Sequence, residues 1–167
     1  MKGLENHVYL FLYLASNAIA LFLLWASWKR KRLARLLLFL VFAWASWTNW
    51  NEALTAPQFY LDYADLTFMD VYKNFINGWF SSNILLCVGF IATCQALIAV
   101  AMLLKGWVYK TACAGAIIFL IAIAPLGVGA AFPCTVIMAI GIILLLTEKK
   151  ITYVWLPATR KIAVSNP

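Results

Sequence analysis

The sequence predicts an all-α integral membrane protein, a helix bundle of about five transmembrane helices. Three observations lead there. Hydrophobic residues make up 65% of the chain and charged residues 11%, against roughly 45–50% and 25% in soluble domains. The charges are confined to clusters separated by uncharged windows at Asn6–Trp28, Leu36–Asn51, Asn74–Leu104 and Thr111–Thr147. The clusters also differ in sign along the chain, as expected of a protein with a fixed orientation in a bilayer.

The first window supports a span over about 8–28. A cleaved signal peptide would carry its basic residues before a shorter apolar run. Here the basic cluster Lys29-Arg30-Lys31-Arg32 follows the run, so a retained span is favoured. The second window gives a span over 33–50, with Arg35 near its start and expected to snorkel its guanidinium to the membrane surface. The third gives a span over 80–104. The last holds 37 residues. As one straight helix it would reach roughly 55 Å, against a hydrocarbon core of roughly 30 Å. Near its middle lies Pro125-Leu126-Gly127-Val128-Gly129-Ala130-Ala131-Phe132-Pro133, rich in helix breakers. Two spans, 111–127 and 132–147, follow. One span with a re-entrant segment is the other way to divide the window, and Glu148-Lys149-Lys150 after it favours a full return. The organisation is then one membrane domain over 1–150 and a tail over 151–167.

Charge sets the orientation. The clusters Lys29–Arg35, Lys105 with Lys110, and Glu148 to Lys161 sum to +10, while Glu52, Asp62, Asp65, Asp70 and Lys73 sum to −3. The positive side is the cytoplasmic one, which places the N-terminus outside and the C-terminus inside, in a bacterial inner membrane. The net charge of +7 is therefore a topology signal, and no nucleic-acid partner is expected.

Between the second and third spans lies the one sizeable region outside the spans. Thr67-Phe68-Met69-Asp70 has the form of a capping box with Asp in place of Glu. From there Phe68, Val71, Tyr72, Phe75, Ile76 and Trp79 share one helical face, and Asp70, Lys73, Asn74 and Asn77 the other. This predicts an amphipathic surface helix over 67–79 with Phe75 and Trp79 turned towards the bundle. It would cap the bundle, or cover a ligand pocket.

Trp44, Trp47 and Trp50 recur every third residue at the outer end of the second span. An interfacial aromatic belt explains them. Yet Trp44 and Trp50 should differ in depth by roughly 9 Å, so the row also suits the wall of a flat apolar site for a quinone ring or a lipid tail. Asn49, with Asn51 and Glu52, would give that site a polar mouth. The four cysteines, Cys87, Cys94, Cys113 and Cys134, contain no Cys-x-x-Cys pair and read as small buried hydrophobes, although Cys87 and Cys134 both belong to the outer half. Asn17, Asn83 and Gln95 read as hydrogen-bonding links between helices, and Ala92, Ala96, Ala99, Ala112, Gly115 and Ala116 as small residues for close helix approach.

The single histidine, His7, cannot form a paired haem site or a histidine-rich metal site. Proton relays and ion pathways need charged groups inside the spans, and none is predicted there. Neither a phosphate-binding loop nor a nucleophile motif is present. A self-contained enzyme, pump or channel is therefore not expected.

Phe75-Ile76-Asn77-Gly78-Trp79-Phe80, Ile91-Ala92-Thr93-Cys94-Gln95-Ala96-Leu97-Ile98-Ala99 and Met102-Leu103-Leu104-Lys105-Gly106, with Lys110 before a small-residue helix, resemble the DoxX-like family of small membrane proteins. Arg32-Leu33-Ala34-Arg35 would open the family's first helix. The resemblance covers about residues 32–146 and implies a four-helix core to which the first span is an addition. Where the family pattern often carries Glu, this chain has Gln95. Some relatives are small subunits of quinone-linked sulfur oxidoreductases, and others are linked with membrane thiol-redox complexes. The leading expectation is a non-catalytic accessory or structural subunit of a larger membrane complex, in contact with lipids and other subunits. The alternatives are a quinone- or thiol-linked oxidoreductase subunit, with quinone as cofactor, and a small-molecule or lipid carrier.

Overall fold

The computed structural model describes residues 7–148 and 152–155; most of the expected tail over 151–167, with its Arg160 and Lys161, lies outside them. The described residues are almost entirely helical and contain no strand. Two long helices come first, α1 (His7–Lys29) and α2 (Lys31–Thr55). An outer segment follows, made of a 3-10 turn (Pro57–Asp62), α3 (Tyr63–Leu66), α4 (Asp70–Phe75) and a π-turn (Ile76–Phe80). Then come α5 (Ile84–Leu103) and α6 (Gly106–Ile123), a 3-10 turn (Ala124–Ala130) and α7 (Cys134–Leu146).

Four helical stretches are long and apolar enough to cross a membrane: Tyr9–Lys29, Lys31–Thr55, Ile84–Leu103 and Gly106–Ala130. The second is longer than its uncharged window indicated, because Glu52 remains inside the helix. α7 is apolar but has 13 residues, about 20 Å of helix.

The helices pack in a closed cycle, α1 on α2, α2 on α5, α5 on α6, α6 on α7, and α7 back on α1. Small residues set the distances. At Gly141 of α7 a Cβ would stand 3.2 Å from Ser27 Oγ and 3.6 Å from the Leu24 Cα of α1, so this position lets the two helices approach. Ala92 and Ala99 are buried in α5. The centre of the cycle is filled by Leu38, Phe42, Met102, Tyr109, Cys113, Leu120, Ile142 and Leu145.

A second, smaller core holds the outer segment. Ala53, Tyr60, Ala64, Ile76, Phe80 and Val88 form it. The segment seats on the Ala124–Ala130 turn through close contacts that only glycine permits. A Cβ on Gly127, whose φ is +63°, would stand 2.8 Å from the Leu66 carbonyl oxygen. One on Gly129 would stand 2.3 Å from the Tyr63 ring.

Two expectations are corrected here. The surface helix over 67–79 is not continuous: α4 holds six residues and passes into a π-turn, where Gly78 leaves helical geometry. Ile76 and Phe80 turn inward and are buried, while Phe75 and Trp79 stay 48% and 57% exposed. The capping box does not form either. Met69 occupies the N-cap position of α4, and the Thr67 hydroxyl donates instead to the Pro125 carbonyl at 2.7 Å.

Candidate functional site

The expected aromatic site is only partly assembled. Trp50 lies across α5, with ring atoms 3.0–3.6 Å from where a Cβ of Gly89 would stand. It lines an open-sided groove of about 700 Å³ with Leu54, Asn83, Leu86, Phe90 and Thr93. Trp44 and Trp47 do not line this groove and are exposed on α2. Gly89 is the feature that admits the Trp50 ring, and its position seven residues before Ala96 gave no sign of that in the sequence.

Asn49 does not sit at the groove mouth. Its Nδ2 donates to Gln95 Oε1 at 2.8 Å, and its Oδ1 accepts from the Tyr60 hydroxyl at 3.0 Å. One turn deeper, Ser46 Oγ donates to the Ala92 carbonyl at 2.7 Å. These bonds join α2, α5 and the outer segment in one polar track. Gln95 is 4% exposed, so the track satisfies an amide that would be costly to bury unpaired. The inter-helix role expected for Gln95 is the one its geometry supports. Burial, with the nearby Glu52 carboxylate, pushes the Tyr60 phenol above its ordinary range; burial, Glu52 and Asp62 raise Tyr63. Both phenols are thereby kept neutral.

At the opposite end Arg35 departs from expectation. It is 2% exposed and does not snorkel. Its Nε donates to the Met102 carbonyl at 2.9 Å, Nη1 to the Thr152 carbonyl at 2.7 Å, and Nη2 to the Leu104 carbonyl. The last carbonyls of a helix have no partner of their own, and a cation there also meets the negative end of the helix dipole. Arg35 therefore caps α5 and draws the chain after α7 against it. Val154 N–H bonded to the Leu103 carbonyl at 3.2 Å completes that contact.

The C-terminus of α6 is finished in the same way by the outer segment. Pro125 O accepts from Thr67 Oγ1 and from the Phe68 N–H, and Ala122 O accepts from the Tyr72 hydroxyl at 2.6 Å. Asn17 Nδ2 adds a bond to the Ala131 carbonyl at 3.1 Å. Buried backbone groups outside regular helix need partners from elsewhere in the protein, and these donors supply them.

All four cysteines are free thiols, Cys113 and Cys134 buried, Cys87 and Cys94 half-buried. Cys134 Sγ contacts Met138 Sδ at 3.8 Å, while Cys87 packs beside the outer core. Among the described residues no group of His, Cys, Asp and Glu is arranged to hold a metal ion. Comparison with protein-family models, with curated proteins and with solved structures finds no match to this chain.

Proposed function

We propose that this protein is a non-catalytic accessory or structural subunit of a larger inner-membrane complex. The observation that carries the reading is the exposed apolar face of the outer segment. Phe68, Val71, Phe75 and Trp79 are all exposed, on a segment that is not among the membrane-crossing stretches. Exposed apolar clusters of this kind mark protein or membrane contacts. The polar side chains inside the bundle support the same reading, since Arg35, Ser46, Asn49 and Gln95 are engaged in fastening helices to one another.

In this proposal α2, α5, α6 and α7 form a DoxX-like core, and α1 is the added span that closes the cycle. All five helices cross, with α7 the shortest. The N-terminus is outside and the C-terminus cytoplasmic. The convergence of Lys31 on Thr147, and of Lys105 on Tyr153, supports gathering the basic ends on one face. The outer segment, amphipathic in sequence, lies on the other.

Gentle purification from the native membrane followed by native mass spectrometry tests the proposal. Co-purifying subunits that are lost in Val71→Asp/Trp79→Asp, with the variant still inserted, support it. A monomer that turns over a substrate alone refutes it.

A second reading has one specific observation behind it. The Trp50–Gly89 groove offers an aromatic wall with Asn83 beside it, which suits a quinone ring. Solvent extraction of the purified protein and chromatography for quinone distinguish the two readings: a stoichiometric quinone that Trp50→Ala releases would favour the second.

A further inference from the structure

We propose that residues 152–155 are a strap with two states, docked on the bundle and released, and that Arg35 is the latch coupling the strap to the junction of α2, α5 and α6. The docked state is the one in this structure.

The strap is shallow. None of its four residues is buried, and Trp155 is 62% exposed. Its closest aromatic contact is internal, Tyr153 stacked on Trp155 at 4.7 Å, and does not hold it to the bundle. The attachments that do are polar. The Thr152 carbonyl accepts from Arg35 Nη1 at 2.7 Å, the Val154 N–H donates to the Leu103 carbonyl at 3.2 Å, and Lys105 Nζ lies 4.8 Å from the Tyr153 ring centroid. Segments with few buried apolar contacts open at low free-energy cost.

The other side of the latch is deep. Arg35 is 2% exposed, and the Tyr109 ring beside its guanidinium is fully buried. Its Nε and Nη2 hold the Met102 and Leu104 carbonyls. With Val154 on Leu103, three successive carbonyls at the end of α5 take their donors from α2 and from the strap. Among the described residues Arg35 forms no salt bridge with a carboxylate, and the Thr152 carbonyl is the acceptor that Nη1 meets.

Release of the strap therefore acts at two places. The Leu103 carbonyl loses its donor, and Nη1 loses its acceptor. A buried donor left without a partner is costly, so the guanidinium shifts towards water, which weakens its hold on Met102 and Leu104. Coupling of this kind is reciprocal. Whatever binds the released strap loosens the end of α5, and whatever loosens the end of α5 frees the strap.

The test is amide hydrogen exchange of the full chain in detergent, read by mass spectrometry over residues 102–106 and 152–155. Val154→Pro removes the N–H that bonds Leu103 and changes nothing inside the bundle. It should speed exchange over 102–106 by about fivefold, the equivalent of one net hydrogen bond. In the other direction, Arg35→Lys keeps a cation but not the guanidinium fork, and should speed exchange over 152–155 by a similar factor. Tyr72→Phe, which removes one hydrogen bond at the opposite end of the bundle, should move neither. Free-chain exchange over 152–155 in the unaltered protein overturns the proposal. So does unchanged exchange over 102–106 in Val154→Pro. A rise at both places in Tyr72→Phe overturns it too, since the effect would then be one of overall stability. Val154 lies on the strap, outside the bundle, so its variant keeps the test decisive if Arg35→Lys fails to fold.

Discussion

The guanidinium carbon of Arg35 lies 4.4 Å from the centroid of the Tyr109 ring. A cation from α2 is thus held against an aromatic of α6, beneath the end of α5. Three helices meet at this point, and the guanidinium donates to three backbone carbonyl oxygens, those of Met102, Leu104 and Thr152.

Arg35→Met should therefore destabilise the bundle by at least about 3 kcal/mol, since even one buried acceptor left without its partner costs about 1–3 kcal/mol and Arg35 serves three. Arg35→Lys should recover only part of this, because an ammonium cannot reproduce the guanidinium fork. Thermal unfolding in detergent measures both. A midpoint unchanged in Arg35→Met would show that the capping bonds carry no stability.

Asn49 and Gln95 should be coupled. Their amide contact lies inside the bundle, where such bonds contribute about 0.6 kcal/mol on average and up to about 1.7. A double-mutant cycle with Asn49→Leu and Gln95→Leu, read by denaturant unfolding, should give a coupling within that range. Strict additivity would mean that the bond in the track is not energetically real.

The seat of the outer segment rests on Gly127 and Gly129. Gly129→Leu should displace α3, because the new side chain would occupy the space of the Tyr63 ring. Gly115→Ala should be nearly neutral by comparison, since Gly115 lies within regular helix and a Cβ there meets nothing. Limited proteolysis within 57–75 reads the difference: cleavage should accelerate in the first variant only.

The pH response of this seat has a defined sign. The phenols of Tyr60 and Tyr63 are raised by burial and by neighbouring carboxylates. A group raised in the folded state adds stability that is complete below its unfolded pKa, about 10, and is lost as pH climbs through the folded value. The outer segment should hold through neutral pH and loosen only above about 10. Tyrosinate absorbance followed against pH checks this, and Tyr60→Phe should remove part of the transition. A loss of the seat between pH 6 and 8 would contradict it.

Topology is open to a direct test. Reporter fusions after Lys150 and within Asp62–Lys73 should report opposite sides of the membrane. Both on one side would sink the arrangement of five crossings with the N-terminus outside.

The sequence by itself determined the class of the molecule. Uncharged windows too long for a soluble core can only be satisfied in lipid, because transfer free energy depends on residue type and run length alone. The division of the last window at Pro125–Pro133 was legible for a similarly local reason, the loss of helical hydrogen bonding at proline. Periodicity also named the apolar residues of the outer segment.

What periodicity could not state is which of them face inward. A π-turn at Ile76–Phe80 with Gly78 inside it interrupts the helix: Ile76, one of the residues on the expected face, is buried together with Phe80, while Phe75 and Trp79 stay exposed. Arg35 read as a surface cation because nothing in its neighbourhood in sequence reveals that the ends of α5 and of the chain after α7 converge on it. Asn49 read as the rim of a pocket for the same reason: its partners Gln95 and Tyr60 are 46 and 11 residues away. The difference between Gly89, which admits Trp50, and Gly115, which admits nothing from this chain, exists only once α2 and α6 have been placed around α5. Burial and hydrogen-bond partnership are relations between distant segments, and tertiary packing alone decides them.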